Sequence, residues 1–581
     1  MKKITRRRKA THDTAEILEA RIAPATFVVT NVSNSGPGSL RDAIVQSEGN
    51  ATADTIVFKA GVAGTILLTG SGFSVTKPLS IVGPGSAKVI ISGGSNFRIF
   101  NVNDGNSSTD SPFSVSGLAL VDGNAGAGDG GAINSLESLS VKNCILTSNT
   151  ATKGGGIYMN STVDNKALIS GSVISGNSAT SGFGGGLYLD TGKGITILNT
   201  TVSGNTATDS GGGAYLTLNN GFTNNAKIVI IGSVFRRNVS GNSGGGLAAH
   251  LTDHAILISK TQITGNISDD FGGGLYTYRG RVTMVGSTVA GNRVTGGTND
   301  GGGIYSSDSQ MTLTATRVIG NSAAGDGGGI LHNGSNHADK FLKVTGGTIS
   351  GNTAGATGGG IHGLQGGKIT LKGTSVQLNQ AVGTGGGIST TGTGASKVDL
   401  EIVGGVYEGN RGSLGGGVFA IGDGTISIKS AKFLSNNAVS SIGGGVYLST
   451  TSSTSIVSSL FNGNSSFFGG AGIGLKGTGS ATLTGVTVIN NVSAFNGGGL
   501  VIENPVSVNI SKSLFKGNSA TLNGGGIAVF SSTVNIATSI ITGNTAVNNG
   551  GGVFKGSGTV NLAATVKVFG NAAAASPDKN F

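Results

Sequence analysis

The sequence is poor in Trp, Cys, Pro and charged residues. Its 581 residues include no Trp, one Cys and seven Pro, and no Pro occurs between Pro112 and Pro505. A single thiol excludes an internal disulfide framework. No run of 18 apolar residues occurs, so no transmembrane segment is expected. Because proline cannot donate to a strand ladder, its absence from the long central stretch favours unbroken strand pairing.

Glycine is abundant, with 108 residues, and recurs in a regular motif. A glycine triplet followed by an aliphatic residue or Ala returns sixteen times between Gly130 and Val553, about every 28 residues, counting one degenerate copy at 470–472. A fixed period of this size indicates a solenoid, whose core forms by stacking of repeats. Glycine weakens helices but suits sharp turns. We therefore predict strands joined by glycine corners.

An Asn recurs in step with the triplet, from Asn124 to Asn571. A β-branched or aromatic residue lies three positions before it and a small residue five positions before it, as at Ile174 and Ser172. Residues two apart share a strand face, so both positions are predicted to point inward. The single Cys144 falls in the small position. We interpret it as a buried small hydrophobic residue and not as a nucleophile or a ligand.

These repeats predict an all-β fold, a single-stranded right-handed parallel β-helix of about 17 to 20 coils with a short N-terminal capping helix. Residues 1–26 form a basic leader or tail, and 27–123 form the N-terminal cap and irregular first coils. The regular repeats span 124–571, and 572–581 form a C-terminal tail. The leader lacks the apolar stretch of a secretory signal, and a short helix is the alternative there.

Both ends of a solenoid need a cover. At the N-terminal end, Ser39 and Asp42 have the spacing of a capping box, and Leu40 and Ile44 fall on one face of a short helix. This helix is the predicted cap. No comparable helix follows Asn571, so a capping tail, an oligomer contact or a missing partner is expected at the C-terminal end.

Two motifs resemble those of known bacterial surface proteins. The residues GSLRDAI, 38–44, resemble the CSLREAI-type N-terminal motif of surface and secreted right-handed β-helix proteins, with Gly38 in place of Cys. The repeats are similar to the GGAI and FxxN repeats of chlamydial-type polymorphic outer membrane proteins. The first matches at 130–133, and the second matches at 235–238, 433–436, 461–464 and 515–518.

The opening ILEARIAPATF, 17–27, is similar to the Leu-Glu-x-Arg leader of planctomycete-type surface proteins. Together these resemblances imply a scaffold that is extracellular or at the cell surface, reached through an atypical export signal. The polymorphic proteins carry a C-terminal autotransporter barrel. No alternating barrel strands follow Asn571, so insertion into an outer membrane is not expected.

The residue two positions after the triplet is predicted to face outward. It is aromatic in many coils, and neighbouring coils place it about 4.8 Å apart, close to the rise of one sugar ring. This spacing predicts a carbohydrate-binding row, which we call the Tyr row: Tyr158, Tyr188, Tyr215, Tyr276 and Tyr305. The alternative is an aromatic ladder that stabilises the sheet by cross-strand stacking.

Acidic residues recur at the corner before the triplet. Asp270, Asp300 and Asp326 lie on three consecutive coils. Stacked carboxylates attract a hard cation, so these residues are a candidate calcium site. The alternative is that each Asp caps a turn through backbone groups. No other cofactor is expected.

We predict an exported or cell-surface structural or adhesin-like protein that binds polysaccharide along the Tyr row. The alternative is a carbohydrate-active enzyme, either pectate-lyase-like or polygalacturonase-like. Hydrolysis would need several carboxylates with a His nearby, but Asp269 and Asp270 lie three coils from His362, about 14 Å away on a shared face. No catalytic residue is assigned.

The expected partners are polysaccharide or other cell-surface components. The net charge is +11, but the basic residues are scattered, so nucleic acid is not an expected partner. One candidate basic patch lies in neighbouring coils: Arg236, Arg237, Arg279, Arg281 and Arg293. Variable loops, such as LHNGSNHADK at 331–340, interrupt the coils after the triplet strand. Loops on a rigid scaffold commonly carry specificity, so a ligand is expected there first.

Overall fold

The computed structural model describes residues 24–49, 52–161, 165–218, 226–477, 479–504 and 507–579. They form an all-β parallel solenoid of about 19 turns, as predicted. The right-handed sense of the coil stays a prediction. Most of the predicted leader lies outside the described residues. The longest helix that the structure describes has eight residues, so no described helix is long and apolar enough to cross a membrane.

Each regular coil contains four strands, and each strand pairs in parallel with its equivalent in the next coil. The triplet strands follow the glycine triplets and continue two strands of the first coils: Phe73–Val75, Phe100–Val102, Ile133–Ser135, Ile157–Asn160, Leu187–Thr191, Ala214–Leu218, Leu247–His250, Leu275–Val285, Ile304–Thr314, Ile330–Asn333, Ile361–Leu364, Ile388–Gly392, Val418–Gly422, Val446–Thr450, Ile473–Lys476, Leu500–Glu503, Ile527–Val529 and Val553–Lys555. Two of these, Leu275–Val285 and Ile304–Thr314, continue unbroken through the second strand position.

The second strands lie in the same sheet: Thr26–Val29, Asp54–Phe58, Leu79–Val82, Phe113–Ser116, Leu139–Lys142, Lys166–Ser170, Gly194–Leu198, Lys227–Ile231, Ala255–Ser259, Phe341–Thr345, Lys368–Lys372, Asp399–Val403, Ile426–Lys429, Thr454–Val457, Ser480–Thr484, Ser507–Ser511, Thr533–Ala537 and Thr559–Leu562. The third strands form a second sheet: Gly64–Leu67, Val89–Ser92, Ala119–Val121, Ile145–Thr147, Val173–Ser175, Thr201–Ser203, Val234–Arg236, Gln262–Thr264, Thr288–Ala290, Arg317–Ile319, Thr348–Ser350, Ser375–Gln377, Val406–Glu408, Lys432–Leu434, Leu460–Asn462, Thr487–Ile489, Leu514–Lys516, Ile540–Thr542 and Lys567–Phe569.

The short strands have two residues each and form the third sheet: Thr150–Ala151, Ser178–Ala179, Thr206–Ala207, Val239–Ser240, Ile267–Ser268, Arg293–Val294, Ser322–Ala323, Thr353–Ala354, Gln380–Ala381, Arg411–Gly412, Asn437–Ala438, Ser465–Ser466, Val492–Ser493, Ser519–Ala520 and Thr545–Ala546. The helices are the α-helix Leu40–Ser47 and the 3-10 helix Gly394–Ser396. At about 4.8 Å per turn, the rod is roughly 90 Å long.

The glycine triplet is required by close contact between coils. At Gly184, φ is +72°, a conformation that costs other residues energy. A Cβ on Gly185 would lie 2.3 Å from the carbonyl oxygen of Gly212 in the next coil, and one on Gly186 would lie 2.7 Å from that of Gly213. The triplet is therefore scaffold, repeated so that each corner can pack directly on the next.

The recurring asparagines form a buried ladder inside the rod. In each step the backbone N–H and the side-chain Nδ2 of one Asn donate to Oδ1 of the Asn in the next coil. For Asn238 and Asn266 these distances are 3.0 and 2.9 Å. The same Nδ2 also donates to a carbonyl of the preceding coil, at 3.1 Å from Asn238 to Val202. The ladder therefore satisfies backbone groups that the corner leaves unpaired.

The ladder starts one repeat later than the sequence indicates. Asn124 was expected to be its first member, but its Nδ2 donates to the carbonyl of Ser95 at an exposed site. The ladder position in that coil belongs to Gly123, whose N–H donates to Oδ1 of Asn149 at 2.8 Å. Asn124 pairs with Thr150 and so lies one residue beyond the ladder position.

The inward positions predicted from the repeat are confirmed. Ile174 and Ser172 are at most 1% exposed, and the Ser172 hydroxyl accepts from the backbone N–H of Cys144 at 3.1 Å. Cys144 is itself buried, and burial raises the pKa of its thiol to about 11. The thiol is therefore protonated and enclosed, as expected for a small core residue.

The predicted capping helix covers the N-terminal end. Ser39 accepts at its hydroxyl from the N–H of Asp42, and Leu40 and Ile44 are buried against the first coils. Arg41 links the helix to the first coils. Its guanidinium donates to the carbonyl of Gly72 at 3.0 Å and lies 4.7 Å from the Phe73 ring centroid. The motif that resembles CSLREAI thus builds the cap.

At the other end, the described part of the tail adds one more layer to the triplet side. Gly552 and Val553 donate their N–H groups to the carbonyls of Pro577 and Asp578, both at 2.9 Å. A capping tail is one of the three covers expected there. The oligomer contact stays a prediction.

Candidate functional site

The Tyr row lies on the outer face of the triplet strands. Tyr158, Tyr188 and Tyr215 are direct register partners in three consecutive coils. The next coil has Ala248 at this position, and the row resumes with Tyr276 and Tyr305 in register. The structure therefore brings all five predicted tyrosines onto one face, in two groups.

His250 joins the two groups. It lies two residues after Ala248, so it shares the same strand face, and its ring centroid is 5.4 Å from Tyr215 and 5.8 Å from Tyr276. The result is a continuous column of six rings, one per coil, from Tyr158 to Tyr305. His250 is not part of the predicted Tyr row, although its strand parity places it on that face.

The rings stack on one another and are half-buried. Tyr188 lies between Tyr158 and Tyr215, with centroid distances of 4.7 and 5.3 Å and interplanar angles of 21° and 8°. Phe183, just before its triplet, packs 4.7 Å from Tyr215 and covers the row from the side. Both faces of Tyr188 are occupied, so a ligand can reach only ring edges and hydroxyls. This stacking is the ladder that the alternative interpretation describes.

Polar groups accompany the row. Asn160 donates through Nδ2 to the Tyr158 hydroxyl oxygen at 3.0 Å, and Asp190 occupies the equivalent position in the next coil. Burial raises the pKa of the Asp190 carboxyl to about 6, and burial raises the pKa of Tyr215 and of Tyr276 to about 12. The tyrosines are therefore neutral hydroxyl donors at neutral pH. In the described part of the chain, Asp190 Oδ1 has no hydrogen-bond partner.

The same face carries a cavity further along the rod, with a volume of about 480 Å³. Its wall is the stacked pair Phe419 and Tyr447, whose ring centroids are 5.5 Å apart. Ile421 adds an exposed apolar surface, and Asp423 and Thr451 form a hydrogen-bonded polar rim. These residues were not among the predicted site residues, although Phe419 and Tyr447 occupy the motif position that defines the Tyr row.

Two of the three predicted calcium ligands accept hydrogen bonds from backbone N–H groups. Asp300 Oδ1 accepts from the N–H of Asp326 at 2.7 Å, and Asp326 Oδ1 accepts from the N–H of Thr357 at 2.8 Å. Asp270 accepts from the Asn299 side chain at 2.8 Å. Across the described residues, no group of three or more His, Cys, Asp or Glu side chains is placed to hold a metal ion. Turn capping accounts for Asp300 and Asp326, and the calcium site stays a prediction.

The residues weighed for hydrolysis also form hydrogen bonds within the protein. His362 is 4% exposed, and its Nδ1 lies 2.7 Å from the Thr357 hydroxyl, which in turn donates to Asp326. Burial lowers the pKa of His362, so the imidazole is neutral and enclosed. Asp269 accepts from the Thr295 hydroxyl on a different corner. Asp269 and Asp270 share one corner and His362 lies three coils away, so the structure does not bring these residues together. The enzyme alternative stays a prediction.

A second charged cluster lies beside the variable loop at 331–340, in the region where a ligand is expected. Asp308 is 9% exposed at its side chain and contacts one basic group from the preceding coil and two from the following coil. Its carboxylate lies 3.3 Å from Arg279 Nε, 2.9 Å from His337 Nδ1 and 3.5 Å from Lys340 Nζ. We call these four residues the Asp308 cluster. The residues are up to 61 positions apart in sequence, and only the stacking of loops of unequal length reveals the cluster.

The five arginines considered as a basic patch do not share one surface. Arg236 is on a third strand, Arg281 is in the long strand Leu275–Val285 and Arg293 is on a short strand.

Comparison with protein-family models and with curated proteins finds no match to this chain.

Proposed function

We propose that this protein is an extracellular or cell-surface rod that binds polysaccharide along the outer face of its triplet strands. The observation that carries the proposal is the column of six rings from Tyr158 to Tyr305, with successive centroids 4.7 to 5.8 Å apart. This repeat is close to the length of one sugar residue in an extended chain. A polysaccharide laid along the rod therefore meets an equivalent group at every residue.

The contacts use ring edges and polar groups. Because each inner ring is covered on both faces, the sugar binds to the tyrosine hydroxyls and to Asn160. Neutral hydroxyl donors next to an acceptor suit the hydroxyl groups of a sugar. The cavity at Phe419 and Tyr447 offers an aromatic wall with a polar rim, which suits one further sugar residue on the same face.

The solenoid suits a surface role. Its stacked backbone ladders and buried Asn ladder make a stiff scaffold in which each coil supports the next. The resemblance to bacterial surface β-helix proteins supports placement outside the cell. Protease digestion of intact cells that express the full chain, followed by immunodetection, tests this placement. Protection from protease until the cells are lysed would contradict it.

The test of binding uses a printed array of neutral and acidic polysaccharides. Tyr188→Phe keeps the ring stack but removes one hydroxyl from the row, so we expect weaker binding by about threefold to tenfold. Tyr407→Phe is the matched control, because Tyr407 is fully buried on the core side. Absence of binding to any polysaccharide would contradict the proposal, as would equal effects of the two substitutions.

A further inference from the structure

The Asp308 cluster lies at the edge of the Tyr row. Tyr278 is in the same strand as Tyr276, and its ring centroid lies 5.4 Å from that of His250 in the column. The guanidinium carbon of Arg279 lies 5.2 Å from the Tyr278 centroid. A chain of ring contacts therefore leads from the polysaccharide face to the Arg279 guanidinium.

Arg279 is held in place but keeps its outer edge free. Its side chain is 51% exposed, and its only hydrogen bond to a described residue runs from Nε to Asp308. The Asp308 contact and the Tyr278 ring together fix the plane of the guanidinium. Its two terminal nitrogens are left to form the fork that binds a carboxylate through two parallel hydrogen bonds.

The backbone at these positions is unfavourable for ordinary residues. Arg279 and Asp308 are register equivalents at the corner after the triplet strand, with φ of +48° and +50°. A glycine would adopt this conformation at lower cost. The chain keeps charged side chains where the backbone favours glycine, as is common at binding sites.

The charges around the cluster leave an excess of positive charge. Facing Asp308 are Arg279, Lys340 and His337, and Lys340 also lies 3.6 Å from Asp339. Arg281, exposed two residues after Arg279, has no acidic partner among the described residues. An anionic group next to the Tyr row therefore meets a prearranged cationic edge.

We infer that the Asp308 cluster binds the carboxylate of a uronic acid residue, so that the ligand of the rod is an acidic polysaccharide. This inference rests on the proposed function and specifies its substrate class. The terminal nitrogens of Arg279 receive the carboxylate, and Lys340 adds positive charge beside it. Asp308 acts as a positioning residue that orients these groups.

The test compares two polymers with one backbone, polygalacturonate and its fully methyl-esterified form, at 150 mM salt. Wild-type protein is expected to bind the acidic polymer about tenfold more tightly than the ester. Arg279→Lys keeps the charge but loses the fork, and it is expected to abolish most of this preference. Arg317→Gln is the control, because Arg317 is exposed on a third strand of the neighbouring coil.

Equal affinity for the two polymers, or an unchanged preference in Arg279→Lys, would overturn the inference and leave the proposed function standing if other glycans bind. Binding to no glycan at all would overturn the proposed function itself. Polyglutamate serves as a further probe. If it binds as tightly as polygalacturonate with the same dependence on Arg279, the cluster is a site for acidic polypeptide and the inference is wrong.

Discussion

The carboxylate of Asp578 accepts hydrogen bonds from both the backbone N–H and the side-chain Nδ2 of Asn571, at 3.2 and 3.1 Å. These are the two groups that every preceding ladder asparagine donates to the next asparagine. Asp578 therefore takes the ladder position after Asn571. At this position the side chain only has to accept, so a carboxylate fits where an amide is used elsewhere.

This difference predicts that exchanging Asn and Asp changes the free energy of unfolding strongly inside the ladder and very little at its end. In Asn266→Asp an oxygen replaces Nδ2, which donates to the carbonyl of Phe235 at 3.0 Å and to Asn292 Oδ1 at 2.9 Å. We expect a loss of about 3 kcal/mol or more in the free energy of unfolding, because a buried charge then faces two acceptors. Asp578→Asn should change it by less than about 0.5 kcal/mol. Urea denaturation of both variants checks this, and similar losses would contradict the ladder account.

The corner geometry predicts unequal effects of two Gly→Ala substitutions. A Cβ on Gly185 would lie 2.3 Å from the carbonyl oxygen of Gly212, so Gly185→Ala is expected to cost about 3 kcal/mol. Gly204 has φ of +62° but no atom within 4 Å of its added Cβ, so Gly204→Ala should cost only about 1 kcal/mol. Thermal and urea unfolding measure both. Equal costs would show that the coils do not pack as closely as described.

Tyr407→Phe is expected to stabilise the protein. Tyr407 is fully buried, stacks 4.8 Å from Phe433, and its hydroxyl has no hydrogen-bond partner among the described residues. Removing an unpaired buried hydroxyl at nearly constant volume should raise the free energy of unfolding by about 1 kcal/mol. The urea midpoint of the variant provides the measurement. A lower midpoint would mean that the hydroxyl has a partner in solution.

The stability of the protein should depend on pH through His332. This side chain is 1% exposed, and burial lowers its pKa to about 4 from the ordinary 6.5. In the unfolded chain this imidazole takes up a proton near pH 6.5, whereas in the folded protein it stays neutral down to about pH 4. The contribution of neutral His332 to the free energy of unfolding is therefore full above pH 6.5 and is lost as the pH falls to 4. The loss should total about 3 kcal/mol. His332→Gln should remove this part of the slope, and an unchanged slope between pH 6.5 and 4 would contradict the account.

Much of the scaffold was predictable from the sequence, because a regular period fixes the phase of each strand. That phase placed Ile174 and Cys144 in the core and the Tyr row outside, as observed. Strand phase does not determine ring orientation, so the sequence leaves open whether the rings stack on one another, as they do at Tyr188, or present their faces to a ligand. The Asp308 cluster was not predicted either, because His337 and Lys340 reach Asp308 through the variable loop at 331–340, whose path the strand phase does not determine.

The affinity for oligosaccharides of increasing length tests the central claim most directly. The claim is that the column from Tyr158 to Tyr305 binds one sugar residue per coil over about 24 Å. Isothermal titration of oligogalacturonides with two to ten residues is predicted to show affinity rising up to about six residues and then levelling off. Tyr188→Phe should lower the plateau. Affinity that does not depend on length, or that Tyr188→Phe leaves unchanged, would contradict the account.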